Sequence, residues 1–237
     1  MATDRPALAI IGGTGALGSG LAMRWAAAGH AVVLGSRSRE KGEAAAREIQ
    51  SGNGAPPVRG DTNAGAARGA DIVVIAVPYP SHDATLDDIR DAVQGKIVVD
   101  AVVPLVPPKV ARVQLPREGS AAVIAQARLG AGARVVSAFH NIGAAKLQAG
   151  GAVDCDVLVF GDDRAAREAV MALADALGTR GIDGGPLANS AAAEALTSVL
   201  IGINRRYKVD GAGIRITGIP DGAPNSRSPF DGTRGER

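Results

Sequence analysis

The chain has 237 residues, a formal net charge of +2, and 46% hydrophobic but only 3% aromatic residues. That length allows one large domain, or a nucleotide-binding domain with a small companion, and the core must be Ala, Val, Ile and Leu, as suits parallel strands covered by helices. Lys and Arg are scattered among Asp and Glu, which excludes a basic face for nucleic acid; a single cysteine, Cys155, excludes an internal disulfide, and without C-x-x-C or clustered His no metal site is expected. Met1–Pro6 lack a secretory pattern and no apolar run is long enough to cross a membrane, so the expectation is a cytoplasmic protein with no membrane partner.

In chain order, Leu8-Ala9-Ile10-Ile11 predicts a strand that stops at glycine, and an Ala/Leu/Met/Trp pattern predicts a helix over 17–28. Between them Gly13, Gly15 and Gly18 fit the spacing G-x-G-x-x-G. In such a turn the first glycine permits a special backbone shape, the second lets main-chain N–H groups approach a pyrophosphate, and the third lets helix and strand pack closely. The helix N-terminus adds unpaired donors and a partial positive charge. Ala31–Leu34 then predicts a second strand, parallel to the first through a right-handed crossover.

After that strand stand Gly35-Ser36-Arg37-Ser38-Arg39-Glu40-Lys41. An NAD site would place an Asp or Glu at the strand tip for the ribose hydroxyls. A hydroxyl and a guanidinium, with Lys41 a turn further on, suit a 2′-phosphate instead, so NADP is preferred over NAD. A helix rich in Ala follows, then a loop over 51–57, a short strand at Val58-Arg59-Gly60, and a helix start at Asp61-Thr62-Asn63. Asp71–Val77 predicts a buried strand that delivers Val77 and Pro78 to the carboxyl edge, where ligands bind in open α/β sheets. Ser81 is expected to cap a helix through Val93, with His82 in its first turn, read equally as a solvated side chain or a ligand. Gly95–Asp100 predicts another strand, 101–118 is irregular and proline-rich, and Ser120 is expected to cap a helix over 121–128. Arg134–Phe139 predicts the strand that brings His140 to the same edge; among the histidines His140 is the best candidate for a functional role, in hydrogen bonding or positioning.

Asp156–Asp163 reads as a strand and turn, followed by a helix over 164–177, a strand over 180–183 and a last helix over 191–206. That helix carries few charges, Glu194 standing alone before Arg205 and Arg206, so it should be buried on nearly every side; burial in a homodimer interface is expected. Ile214–Ile219 predicts a final strand, and 220–237 a mobile tail. Together these elements predict an α/β protein: a Rossmann-type doubly wound parallel sheet with a small C-terminal α/β domain, divided as 1–150, 151–219 and the tail 220–237.

Gly12-Gly13-Thr14-Gly15-Ala16-Leu17-Gly18, Gly35-Ser36-Arg37, Lys41, Val77-Pro78, Lys96–Val99, Ser137–His140, Phe160–Asp163 and Gly184–Ser190 occur here in the order seen in NADPH-dependent coenzyme F420 reductases (F420H2:NADP+ oxidoreductases). The chain resembles that family from Ala7 to Ile219. The resemblance implies NADP(H) and the deazaflavin coenzyme F420 as partners, face to face, with a hydride passing directly between them. It implies that Gly13, Thr14, Gly15, Ala16 and Leu17 cradle the pyrophosphate and that Ser36, Arg37 and Lys41 hold the 2′-phosphate. It also implies that Val77, Val103 and Ala144 line the dinucleotide channel, and that the deazaflavin rests near His140, Leu196 and Thr197. This chain departs from the family pattern at Ala16, Tyr79, Asn141-Ile142-Gly143 and Ala195, mostly on the deazaflavin side.

Hydride transfer between two rings leaves the chemistry to the cofactors and asks the protein for alignment at roughly 3–3.5 Å and for exclusion of water. The sequence accordingly shows no convincing Ser-His-Asp set, paired carboxylates or Lys nucleophile. Thr14, His140 and Thr197 are candidates for ring positioning. Two alternatives stay open: an NADPH-dependent reductase of a pterin, imine or carbonyl, with His140 or Tyr79 as proton donor, and a non-catalytic NADPH-binding protein.

Overall fold

A computed structural model describes residues 5–49, 56–149 and 151–220. The expected loop at 51–55 and the tail from 221 onward lie outside the described residues. Among the described residues, eight strands and eight α-helices follow in near-strict alternation. The strands are β1 (Leu8–Ile11), β2 (Val32–Ser36), β3 (Arg59–Thr62), β4 (Ile72–Ile75), β5 (Ile97–Asp100), β6 (Arg134–Ser137), β7 (Asp156–Gly161) and β8 (Arg180–Gly185). The helices are α1 (Ala16–Ala27), α2 (Arg39–Glu48), α3 (Asn63–Arg68), α4 (His82–Ile89), α5 (Ala121–Leu129), α6 (Ala144–Gln148), α7 (Arg164–Asp175) and α8 (Ser190–Tyr207).

All eight strands form one sheet in the order β3-β2-β1-β4-β5-β6-β7-β8. The chain winds outward from β1 to β3, returns to β4 and winds outward again, so the direction of winding reverses between β1 and β4. Ligands bind at such a switch point in open α/β sheets. Register keeps the carboxyl ends level: Ile11 sits opposite Gly35 and Ile75, and Asp100 opposite Ile75 and Ser137. β1 through β6 are parallel, β7 runs antiparallel to β6, and β8 runs parallel to β7. The two C-terminal strands thus extend the first sheet.

Side-chain alternation divides the core into two layers. Leu8, Ile10, Leu34, Val74 and Val99 pack on one face with Trp25 and Val170. Ala9, Ile11, Val73, Ile75 and Val98 pack on the other with Leu86, Ile89 and Ala125. Strands buried on both faces explain the unbroken apolar runs. Trp25 donates its indole N–H to the Leu173 carbonyl at 2.9 Å and meets Phe139 edge-on, so its polar atom is satisfied in the core.

Two expectations need correction. Ser81 ends a 3₁₀ turn over Tyr79–Ser81 and its side chain does not cap α4. Ile214–Ile219 is a strap that runs into a turn at Thr217-Gly218, not a strand, and one backbone bond and several side-chain bonds hold it. The Asp156 N–H donates to the Ile214 carbonyl, the Ile216 N–H donates to the Asp156 carboxylate at 2.6 Å, and Arg180 grips that carboxylate with two nitrogens. Within the single chain the last helix is uncovered along one stripe: Val199, Ile203 and Tyr207, spaced four apart on α8, are 47%, 37% and 68% exposed. The short helix α6 carried no sequence signal; it packs on α1, where the Leu147 side chain lies against Gly20.

Candidate active site

The loop between β1 and α1 sits at the switch point. Gly12, not Gly13, adopts the left-handed conformation, with φ of +83°. A Cβ at Gly12 would lie 2.7 Å from Val77 Cγ1 and 2.8 Å from the Ala76 carbonyl oxygen, so only glycine fits. Gly13 is packed against Leu34 and the Ile10 carbonyl. A Cβ at Gly18 would strike the Gly12 carbonyl oxygen at 2.7 Å, which is the close helix–strand approach predicted for the third glycine. Gly15 is the N-cap of α1 with no side-chain cap bond. The first-turn N–H groups of α1 are thereby free of a side-chain partner, as a pyrophosphate site requires.

A cavity of about 610 Å³ opens beside this loop, within the roughly 300–1,000 Å³ span of small-molecule sites. Thr14, Ser36, Arg37 and Lys41 all line it. Arg39 pairs with Asp61 at 2.9 Å, whereas Arg37 and Lys41 are exposed and make no ion pair among the described residues. Ser38 caps α2, its hydroxyl accepting from the Lys41 N–H. The segment after β2 therefore divides its labour: Ser38 and Arg39 build the helix start, and Ser36, Arg37 and Lys41 face the cavity.

A second cavity of about 540 Å³ adjoins the first, and Gly15, Ala76, Val77 and Pro78 line both. Ala16, Leu17, Val103, His140, Ile142 and Thr197 are among its walls, with Tyr79 at the rim. Gly13 lines a neighbouring groove with Thr14. Ala144 and Leu196 line neither main cavity: Ala144 starts α6 against α1, and Leu196 is half-buried on α8.

His140 is aimed by its predecessor. Phe139 holds φ of 69°, a conformation that costs a bulky residue on the order of 1–3 kcal/mol and persists only where packing enforces it. The buried Phe139 ring against Trp25 supplies that packing. Thr197 donates its hydroxyl hydrogen bond to the His140 carbonyl at 2.9 Å. Burial pushes His140 down to about 4, against the opposing influence of Asp100, so the imidazole is neutral at pH 7. Its Nδ1 is buried and without a partner. A polar atom left unpaired beside a cavity suits a ligand with a hydrogen-bonding edge.

Behind this cavity lie residues whose position sequence reasoning missed. Asp100 Oδ2 meets His82 Nε2 at 2.8 Å and Asp100 Oδ1 accepts from the Val102 N–H at 2.9 Å. Burial lowers the His82 pKa, but the hydrogen bond and charge of Asp100 overcome this and leave it raised. Glu194 accepts from the Ala121 and Ala122 N–H groups at the start of α5, at 2.7 and 3.2 Å. The signal that could have found it was a lone acid in an apolar helix. Among the described residues no group of three His, Cys, Asp or Glu could hold a metal ion, and no helix is long and apolar enough to cross a membrane.

The winding reversal, the glycine loop beside it and the two joined cavities define the class: a Rossmann-type oxidoreductase for nicotinamide nucleotides. Residues 7–104 match the family described as NADP oxidoreductase, coenzyme F420-dependent. The F420-dependent NADP reductase of Methanothermobacter thermautotrophicus is 43% identical over 222 residues, 90% of this chain and 96% of that protein. The F420-dependent NADP reductase of Methanocaldococcus jannaschii is 41% identical over 221 residues, 90% of this chain and 98% of that protein. A solved structure from Arthrobacter sp. FB24 superposes with a TM-score of 0.73 at 28% identity, covering 89% of this chain and 99% of that one. The chain belongs to the F420-dependent NADP reductase family.

Proposed function

We infer that this protein passes a hydride directly between NADPH and coenzyme F420. The observation that carries this reading is the junction of the two cavities: a hydroxyl- and cation-lined cleft opens into an apolar chamber through one shared wall at Gly15, Ala76, Val77 and Pro78. The two rings, when bound, would supply the redox chemistry, the reduced one giving the hydride and the oxidised one taking it. Thr14 to Leu17 and the first turn of α1 hold the pyrophosphate, and Ser36, Arg37 and Lys41 hold the 2′-phosphate. Val77 and Pro78 set how closely the two rings approach. Val103, Ile142 and the neutral His140 exclude water, and the His140 Nδ1 and Thr197 fix the acceptor ring in its plane. No side chain moves a proton.

No observation favours an imine or carbonyl reductase. Such a reaction needs an acid beside the acceptor. The His140 imidazolium is unpopulated at neutral pH, and burial, then Asp83, Glu118 and Glu194, raise the Tyr79 pKa and weaken it as an acid.

The stripe Val199, Ile203 and Tyr207 supports a homodimer through α8, in a cytoplasmic protein. Ile203→Glu is then expected to shift the sedimentation coefficient from dimer to monomer. The functional reading is tested by anaerobic mixing of NADPH with oxidised coenzyme F420 while its visible absorbance is followed. Bleaching with NADPH and little with NADH is the expected result; no bleaching with either overturns the reading.

A further inference from the structure

The nucleotide cleft draws Thr14, Ser36, Arg37 and Lys41 from the exits of β1 and β2 and the helix starts beside them, with Asn63 and Thr85 of α3 and α4 along its side. The ring chamber is built from segments far apart in sequence, and the same buried network lies next to several of them. Ala101 and Val103 follow Asp100 directly, Tyr79 and Pro80 precede His82 by two or three residues, and Thr197 lies one helical turn beyond Glu194. His82, Asp100 and Glu194 are 0%, 0% and 1% exposed.

We propose that Glu194 is a positioning residue for the ring chamber: it locks α8 onto the first turn of α5 and, with the Asp100–His82 pair, holds the chamber walls at the separation a planar ring requires. This rests on the deazaflavin reading of the chamber.

Capping alone does not account for Glu194. α5 already has its own N-cap, the Ser120 hydroxyl accepting from the Val123 N–H at 3.1 Å. Glu194 adds acceptors for Ala121 and Ala122 from 73 and 72 residues away. One turn earlier on α8 the Ser190 hydroxyl donates to the Ser120 hydroxyl at 2.7 Å. Ser190, Glu194 and Thr197 fall on one face of α8, so the first two ties set where the third projects. Thr197 in turn holds the His140 carbonyl. The Asp100 carbonyl accepts from the Ala138 N–H at 3.2 Å, which connects the same network to the exit of β6.

The groups that face Glu194 are His82 from α4, Asp100 from β5, Tyr79 from the turn before α4, and the amides of α5. Burial pushes the Glu194 carboxyl up to about 8; the two amides and His82 pull it down, and Asp100 pushes it further up. Glu194 is therefore neutral at pH 7. Its ionisation above pH 8 places a charge beside Asp100, behind the chamber walls, and loosens them.

The test titrates oxidised coenzyme F420, by its fluorescence, and NADPH in parallel, into wild type, Glu194→Gln and Glu194→Ala on both sides of pH 8. Glu194→Ala is expected to weaken deazaflavin binding roughly tenfold, with NADPH affinity held within about twofold. Glu194→Gln, which keeps an acceptor for the amides, is expected to recover most of that loss and to lack the wild-type weakening above pH 8. The ring's own ionisation affects both proteins equally, so the difference between them is the readout. Unchanged deazaflavin affinity in Glu194→Ala, equal losses for both ligands, or the same pH step in Glu194→Gln overturns the proposal. If Glu194→Ala fails to fold, shown by the absence of a cooperative thermal unfolding transition, the Gln pH step decides alone. A wild-type protein that binds NADPH but no deazaflavin defeats the functional reading, and this proposal with it.

Discussion

The nucleotide cleft and the ring chamber share a wall but are made in opposite ways. The cleft takes its hydroxyls and cations from two short runs, Gly12 to Gly15 and Gly35 to Lys41, each where a strand passes into the helix that follows, and only its far side comes from Asn63 and the segment from Ala76 to Thr85. The chamber gathers Val77, Val103, His140 and Thr197 from segments spread over more than half the chain. The cleft is lined by Arg37, Lys41 and Glu48; the chamber is mostly apolar, with His140 and Tyr79 in its wall and His82, Asp100 and Glu194 buried behind it. A local site withstands distant substitution and fails by loss of direct contacts. An assembled site fails when any of its ties is cut.

The largest effect is expected where the two sites meet. Gly12→Ala forces a Cβ against Val77 and the Ala76 carbonyl at a φ of +83°. Both ligands should weaken, NADPH by about a hundredfold or more, because an ångström-scale displacement of the cradle is enough. A calorimetric titration that found only the deazaflavin affected would break the division drawn here.

Arg37→Ala should cost only the cleft. Loss of a charge-assisted contact predicts NADPH affinity reduced by about tenfold to a hundredfold, with NADH and deazaflavin binding unchanged. Steady-state KM values for the two nucleotides check this directly.

The chamber should answer to pH through stability. Glu194 has its folded pKa raised from 4.5 to about 8, so the folded state holds a proton that the unfolded chain has released across that window. Stability therefore falls as pH rises from 4.5 towards 8 and levels off above it. Relative to Glu194→Gln, the wild-type melting temperature should decline over that range; parallel curves would remove Glu194 as the cause.

The smallest effect belongs to Thr197→Val, which deletes one hydrogen bond to the His140 carbonyl. A net contribution of about 0.5–1.5 kcal/mol predicts deazaflavin affinity lower by a few fold, to about tenfold. Affinity and turnover equal to wild type would exclude a positioning role for this hydroxyl.

The same contrast governs what the sequence disclosed. The close packing of Gly18 and the place of Ser36, Arg37 and Lys41 beside the cleft were legible because both depend on neighbours within a turn or two. The parallel sheet was legible from runs such as Ile72–Ile75, apolar on both faces. Gly12 was misplaced by one position because G-x-G-x-x-G spacing does not say which glycine turns left-handed. Asp100 looked like an ordinary strand terminus, and its pairing with His82 depends on how α4 docks. The positive φ of Phe139 had no signature, since bulky residues rarely adopt it. The strap over 214–219 read as a strand because Ile at 214, 216 and 219 does not reveal that a carboxylate and a guanidinium supply hydrogen bonds to it.

The reversal of β7 has a practical corollary. Because β7 runs against β6, its first residue lies at the rim where His140 emerges, and Asn141 donates its side-chain amide to the Asp156 carbonyl at 2.6 Å. Splitting the polypeptide between α6 and β7 would strip that partner away and leave a bare row of amides and carbonyls along β6, open to any foreign strand. Biosensors assembled from two complementing fragments should therefore keep the whole sheet in one piece and seek their break elsewhere.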